Sequence, residues 1–401
     1  MEKSESKKAV TVGAVCIITY VANYYLRHVL SVLTPKLLET GNFTIEQMGI
    51  FSSTYMLFYA GGQLVNGFLG DFFAPKKMVA LGVAIAGASL IFFPFINIYF
   101  IHIILFAILG FGLSMVRGPL MKIIAENTKP NHARTICVFF SFASFAGPLI
   151  ASLFAMINNW KWVFIAAGGV AVAVSTAAYI VLSIMEHKGL LSYKSSKGEG
   201  IKSVFSVFKI EKFVFYLVIA CLVEIGAASI SFWIPTFLTQ HLLFDKNFAN
   251  MLFTMISVIR SFMPFVALVI FRLTKEKDIA MMRVTFFISM IMFAGMLVAP
   301  NKWICLALLL LALMAMSCSS ALLWSIYIPG LGKTGKVSSV NGVLDCSGYV
   351  AAATANMIFA GVMGSIGWNA VFVLWSAIGA TGLISTFFVR QSKEKKIRLV
   401  N

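Results

Sequence analysis

Apolar runs of about 20 residues, long enough to cross a hydrocarbon core of about 30 Å, recur from one end of this chain to the other. In lipid every backbone polar group needs an internal partner, so runs of this kind fold as helices. Composition agrees. Of 401 residues, 60% are hydrophobic and 12% charged, and the mean hydropathy is +0.90, whereas a soluble domain keeps about a quarter of its residues charged. The expected class is an all-α polytopic membrane protein.

Twelve spans are expected, at 10–34, 47–69, 78–98, 103–121, 135–157, 162–184, 213–238, 248–271, 284–300, 303–328, 337–361 and 368–389. The longest connection is polar and basic, with Ser195, Ser196 and Gly198 near its centre. It divides the chain into a six-helix half (1–185), a cytoplasmic linker (186–212) and a second six-helix half (213–401). Such a 6+6 layout suits transporters built from two parallel repeats around a midplane site.

The net charge of +17 invites a nucleic-acid reading, but its distribution points to topology. On this segmentation 25 of the 32 Lys and Arg fall in the termini and alternate loops of one side. Lys36, Lys161, Lys246 and Lys302 fall on the other, and three arginines are intramembrane. That asymmetry is the positive-inside signature, so both termini are expected in the cytoplasm of a multi-pass cell-membrane protein. No loop is long enough to form a basic domain for nucleic acid. The N-terminal apolar run continues to Pro35 without a small-residue cleavage site, as a retained first span does. Cysteines 16, 137, 221, 305, 318 and 346 contain no C-x-x-C pair and read as small apolar filler.

Five ionisable residues interrupt the spans: Arg27, Arg117, Glu224, Arg260 and Asp345. Charge at that depth is costly and is kept where it faces water, substrate or a partner. In span 1, Tyr20, Tyr24 and Arg27 follow i, i+4, i+7 and share one face, which Ser31 and Thr34 continue outward. Tyrosine hydroxyls around a fixed guanidinium suit a phosphate or carboxylate. Arg117 lies in span 4 before Gly118-Pro119, offset from Arg27 by roughly 10 Å along the normal by helical rise. Glu224, Arg260 and Asp345 fall near mid-depth in the second half. Either acid could neutralise Arg260, and an unpaired carboxylate in low dielectric favours its protonated form, which makes it a coupling site. His28 points about 100° away from Arg27 and reads as a packing residue. The prolines in Gly147-Pro148 of span 5 and Pro264 of span 8 permit bends.

After span 2, Gly67, Asp71, Pro75, Lys76 and Lys77 form G-x-x-x-D-x-x-x-P-K-K. An acid at a helix end beside cations suits a cytoplasmic latch that binds facing helix ends. The equivalent loop of the second half, with Arg272, Lys275, Glu276, Lys277 and Asp278, is charged but lacks the spacing.

On these motifs the chain resembles the major facilitator superfamily, and within it the organophosphate:phosphate antiporters. The loop resembles the superfamily's latch, with Phe72 where a basic residue is usual. Tyr20, Tyr24, Arg27 and Pro35, then Tyr59 and the run Trp233-Ile-Pro235-Thr-Phe-Leu238, resemble the antiporter pattern. The resemblance implies alternating access and contact of Tyr20 and Arg27 with a phosphate-like group. It also departs from the pattern. Ala227 or Glu224 stands where span 7 would carry an arginine, Gln63 replaces a span 2 lysine, and Ser144 or Phe145 a span 5 histidine. Arginines in spans 1 and 4 are similar to related organic-anion symporters, which implies a carboxylate or sugar acid.

The resulting expectation is a monomeric secondary transporter of a small organic anion, coupled to inorganic phosphate, proton or sodium. Arg27, Arg117, Tyr20, Tyr24, Tyr59 and Arg260 would bind substrate, and Glu224 and Asp345 would couple. Spans 1, 2, 4, 5, 7, 8, 10 and 11 would line the cavity. The rivals are a proton-coupled exporter of lipophilic compounds that uses Glu224 and Asp345, and a sensor that keeps the fold. No nucleophile–base pair, metal cluster or phosphate-binding glycine loop supports an enzyme, a cofactor or a metal.

Overall fold

The computed structural model describes residues 2–154, 157–193, 207–210, 212–274 and 277–388. Ser195, Ser196 and Gly198 of the expected linker, and Lys275 and Glu276 of the second-half loop, lie outside the described residues.

Among the described residues twelve helical rods run back and forth. Spans 1, 2, 3, 5 and 6 are the helices Glu2–Glu39, Ile45–Phe72, Pro75–Phe92, Pro130–Phe154 and Trp160–His187. Spans 8, 9, 11 and 12 are Lys246–Leu273, Asp278–Gly295, Val337–Ser365 and Trp368–Phe388. Ten rods are long and apolar enough to cross a membrane on their own composition. Spans 2 and 11 pack on each other at the centre of the molecule. Their polar residues, Gln63, Asn66, Ser338, Asn341 and Asp345 among them, are buried against protein rather than lipid. Apolar side chains such as Leu57, Phe100, Trp162, Val214 and Phe388 stay exposed around the outside, where hydrocarbon is their natural solvent.

Three spans are irregular, each near the centre. Span 4 divides into Tyr99–Ser114 and Arg117–Asn127. Pro119 explains the break, because it has no N–H to offer the carbonyl of Met115 four residues earlier. Span 7 runs from Phe213–Glu224 through a π-helical segment at Ile225–Ile230, then Ser231–Thr236 and a second π segment at Phe237–His241. Span 10 passes from Lys302–Ala321 into a π segment at Leu322–Tyr327. π segments are rare and collect at functional sites. All three irregular regions contribute to the cavity described below.

Spans 3 and 6 pair on the outside, as do spans 9 and 12. Spans 1–6 and 7–12 meet where span 2 packs on span 11 and span 5 on span 8. The first of these contacts is very close. A Cβ on Gly67 would stand 2.7 Å from the Gly342 Cα and 3.0 Å from the Ser338 carbonyl oxygen, so only glycine fits there. Four residues on, the buried Asp71 carboxylate accepts backbone N–H bonds from Ser338 (3.2 Å) and Ser339 (2.8 Å). Those are the first-turn amides of span 11, unpaired within their own helix, and the N-terminal end of a helix dipole favours an anion. Lys122 of span 4, 1% exposed, completes the knot with a 3.2 Å ion pair to Asp71.

The lysines of the motif do something else. Pro75 opens span 3 as its first residue, and Lys76 turns into the groove against span 6, paired with Glu186 at 2.6 Å and bonded to Ser183. Lys77 is exposed. The cation that serves Asp71 is therefore Lys122, which sequence spacing alone leaves in a loop.

If the Gly67–Gly342 contact closes this side of the molecule, Gly67→Ala should open it. Spin labels at His132 and Lys333, beside the facing ends of spans 5 and 10, should report a longer distance in the variant. An unchanged distance distribution would refute the closing role.

Candidate functional site

A cavity of about 540 Å³ lies at the centre, lined from spans 1, 4, 5, 7, 8, 10 and 11. Span 2 contributes no wall to it, contrary to expectation, because the glycine contact draws that helix against span 11. All five intramembrane charges are here or directly behind. Arg27, Arg117, Glu224 and Arg260 line the cavity, and Asp345 is fully buried behind Arg117.

Arg117 Nη1 donates to Asp345 Oδ1 at 2.7 Å, an ion pair that joins the two halves. The second carboxylate oxygen accepts from Asn341 Nδ2 at 2.9 Å. The guanidinium carbon lies 4.0 Å from the centroid of Trp324, in the π segment of span 10. Arg117 is thus held by charge, hydrogen bond and an aromatic face. Of the two acids that could have neutralised Arg260, Asp345 is thus taken by Arg117, which removes Arg117 from the free cations. The pairing follows from the Pro119 break, which turns the start of the second half of span 4 towards span 11.

Arg260 is held by uncharged groups instead. Its Nη1 donates to Ser231 Oγ, its Nε to Ser317 Oγ at 3.3 Å, and its Nη2 to the Gly226 carbonyl at 3.4 Å. Gly226 lies in the first π segment of span 7, and its carbonyl accepts from Ser231 Oγ as well. Arg260 therefore cross-links spans 7, 8 and 10 around the irregular stretch of span 7.

Arg27 differs from both. Among the described residues its one hydrogen bond goes to the Tyr349 hydroxyl at 3.2 Å. Tyr59, Tyr24 and Tyr349 surround its guanidinium carbon, with ring centroids at 5.4, 5.8 and 5.9 Å. Each such contact contributes about 0.5–2 kcal/mol, while taking an ion out of water costs several kcal/mol. No carboxylate contacts it. Arg27 is a cation whose surroundings orient it without neutralising it.

The other expected residues fall into two groups. Tyr20 and Tyr24 line the cavity, with Tyr20 stacked on Phe140 at 4.6 Å. Tyr59 is buried and backs Arg27 from behind. Gly147 lets span 5 touch span 1 at Tyr24, since a Cβ there would fall 2.8 Å from the Tyr25 amide nitrogen. At the positions where the resemblance implied other residues, Ala227, Glu224 and Ser144 line the cavity. Gln63 is buried in the span 2–span 11 seam, its carbonyl against Gly342. His28 also lines the cavity, with Nδ1 2.7 Å from the Tyr24 carbonyl oxygen.

Sequence reasoning missed Tyr349, Trp324, Asn341 and Lys122. A signal existed for part of this. Ser338, Gly342, Asp345 and Tyr349 follow i, i+4, i+7, i+11, one face of span 11. Arg27 and Arg117 meet that face at Tyr349 and Asp345, four residues apart, or about 6 Å of rise, closer in level than helix counting along separate spans suggested.

Residues 16–353 match the Major Facilitator Superfamily. The chain belongs to that superfamily. Its members are transporters rather than enzymes, and this chain is accordingly a multi-pass membrane transporter. Solved structures agree on the fold. The proton:xylose symporter XylE bound to 6-bromo-6-deoxy-D-glucose aligns with a TM-score of 0.72 at 12% identity, over 96% of this chain and 97% of that one. The E. coli fucose:proton symporter FucP aligns at 0.75 and 13%, over 96% and 99%. Relatives by sequence are more distant in coverage. The MFS-type transporter VdtG of Byssochlamys spectabilis is 33% identical over 150 residues, 34% of this chain and 25% of that protein. The probable sulfoacetate transporter SauU of Cupriavidus necator is 28% identical over 112 residues, 28% and 26%. The matched stretches thus span about a quarter of each of these curated relatives.

Removing Asp345 should strand Arg117 as a buried cation. Asp345→Asn should cost about 3 kcal/mol of stability, read as a fall in the thermal unfolding midpoint of purified protein. The double variant Arg117→Gln/Asp345→Asn should recover most of it. Equal losses in the single and double variants would mean that the pair has no structural role.

Proposed function

We propose that this chain is a secondary active transporter that moves a small organic anion by alternating access, with Arg27 as the anion anchor. The observation that carries this reading is the state of the three cavity arginines. Arg117 is neutralised by Asp345, and Arg260 is saturated by Ser231, Ser317 and the Gly226 carbonyl. Arg27 alone of the three retains charge and donors for a ligand. A guanidinium offers paired N–H groups that match carboxylate, phosphate or sulfonate oxygens. Tyr20 and Tyr24 supply the adjoining wall.

Arg117 enters as the second cation, released when its carboxylate partner is protonated or drawn away. Asp345 is then the coupling group of the cross-half pair. A substrate anion would compete with Asp345 for Arg117, and a proton would compete with Arg117 for Asp345, which links occupancy of the cavity to the hold between the halves. Asp71 on the amides of span 11, with Gly67 against Gly342, acts as the latch that rocking must break. Phosphorylated metabolites and carboxylates both fit this chemistry. The name of SauU describes a relative associated with sulfoacetate, an acidic small molecule, which lends support to the organic-anion class.

The test is uptake into proteoliposomes loaded with inorganic phosphate, using labelled glycerol-3-phosphate and glucose-6-phosphate, and then labelled carboxylates and sugar acids under proton or sodium gradients. Wild-type protein should take up at least one of these acids. Arg27→Gln should lose that uptake by about a hundredfold, the worth of a charge-assisted contact in low dielectric, and Arg27→Lys should recover part of it. Full activity of Arg27→Gln would discard Arg27 as the anchor.

A further inference from the structure

Setting aside the groups already paired leaves, beside Arg27, one acidic side chain in the cavity without a hydrogen-bonded or ion-paired partner among the described residues. Glu224 lines the cavity and, among the described residues, forms no hydrogen bond or ion pair. Asp345, the other acid at this depth, accepts from both Arg117 and Asn341. Among the described residues, the cavity therefore presents one cation from the first half without a carboxylate contact and one carboxyl from the second without a hydrogen bond or ion pair. The two are close enough to act on each other electrostatically.

The two lie on either side of span 11, at consecutive residues. Arg27 donates to the Tyr349 hydroxyl. The side chain of Glu224 rests on Gly348, where a Cβ would fall 2.5 Å from the Glu224 Cγ. Both poles thus come within reach of a single small molecule. Glu224 is also the last residue before the first π segment of span 7. The serines nearby, Ser231, Ser257, Ser261 and Ser144, donate to carbonyls of their own helices, and their uncharged oxygens are weaker acceptors for an ammonium than a carboxylate is.

We infer that the transported molecule is a zwitterion, an amine-bearing acid whose anionic group sits on Arg27 and whose ammonium sits on Glu224. This rests on the reading of Arg27 as anion anchor and adds the second pole. An ammonium is the complement that an unpaired carboxylate in low dielectric binds best, because charge-assisted hydrogen bonds are roughly twice as strong as neutral ones. A hydroxyl in the same place would leave the carboxylate charge uncompensated. Glu224 on this account determines specificity, since a plain acid would satisfy Arg27 and leave Glu224 unpaired.

Matched probes separate the possibilities. Purified full-length protein is titrated with β-alanine, 3-hydroxypropionate and propionate, and with taurine, isethionate and ethanesulfonate, reading protection from thermal unfolding at several pH values. Wild type should bind the amine member of a set about tenfold more tightly than the plain acid, with the hydroxy acid between. Glu224→Gln should erase that order while keeping plain-acid binding, which also shows that the variant folds. Arg27→Gln should lose all members. Wild-type preference for the plain or hydroxy acid overturns the zwitterion. So does a Glu224→Gln variant that keeps the amine preference and loses only pH dependence, which would make Glu224 a proton site. Either result leaves the anion reading intact if Arg27→Gln still abolishes binding. Absence of binding by every probe in wild type and Arg27→Gln alike overturns both.

Discussion

One face of span 11 carries the contacts that the rest of the molecule depends on. From its N-terminus it presents the amides of Ser338 and Ser339 to Asp71, Gly342 to Gly67, Asp345 to Arg117 and Tyr349 to Arg27. These partners all belong to the first six spans. A rigid helix transmits displacement along its length, because its backbone bonds are internal and its side chains are close-packed. A rotation that lifts Ser338 from Asp71 must therefore also strain the Arg117–Asp345 pair about two turns away. The ends and the middle of the seam are coupled through one element with two ways of packing.

The energetics of that seam explain why it can open. Buried ion pairs contribute little net stability, because desolvation of both partners offsets their attraction. The Asp71–Lys122 and Arg117–Asp345 pairs therefore specify register more than they add strength. Several polar atoms nearby are also unpartnered among the described residues, including Gln63 Nε2, Asn66 Oδ1, Ser338 Oγ and Asn341 Oδ1. Each keeps a desolvation cost in the packed arrangement that water would relieve on separation. A seam of glycine contacts, paired charges and unpaired amides is specific without being strong, which is what repeated opening requires. The cores behind it are built mainly of apolar side chains. Phe93, Phe106 and Phe164 in the first half, and Phe237, Phe372 and Trp375 in the second, hold each group of spans together.

Much of this was legible in the chain before any coordinates. Apolar run length gave the twelve rods, and the five intramembrane charges all lie in or directly behind the central cavity. What spacing could not give was partnership. Spacing offered Asp345 only to Arg260, and the fold gives it to Arg117, because the break at Pro119 turns span 4 towards span 11. Lys122 reads as a loop lysine because it lies just past the expected end of span 4, yet the helix continues to Asn127 and buries it as the counter-ion of Asp71. Spans 2 and 11 carry buried polar residues for the same reason that they matter. Their polar residues face protein, so lipid does not select against them.

The division of the arginines is the point at which sequence and structure together say most about function. Three guanidiniums in one chain look equivalent on paper, and each alone supports an anion site. In the folded molecule two have been given other work. Arg117 holds the halves against Asp345 and Trp324, and Arg260 staples the π segment of span 7 to spans 8 and 10. Their partners differ in kind, and the difference has a consequence. A carboxylate partner can be titrated or displaced, so the Arg117 contact can respond to a ligand or a proton. Serine hydroxyls and a backbone carbonyl do not titrate in the accessible range, so on the proposed reading the Arg260 contact persists through a cycle and keeps the shape of span 7, while the Arg117–Asp345 pair changes with occupancy. Arg27, caged by tyrosines that give orientation without charge, is left as the group whose satisfaction depends on what enters the cavity.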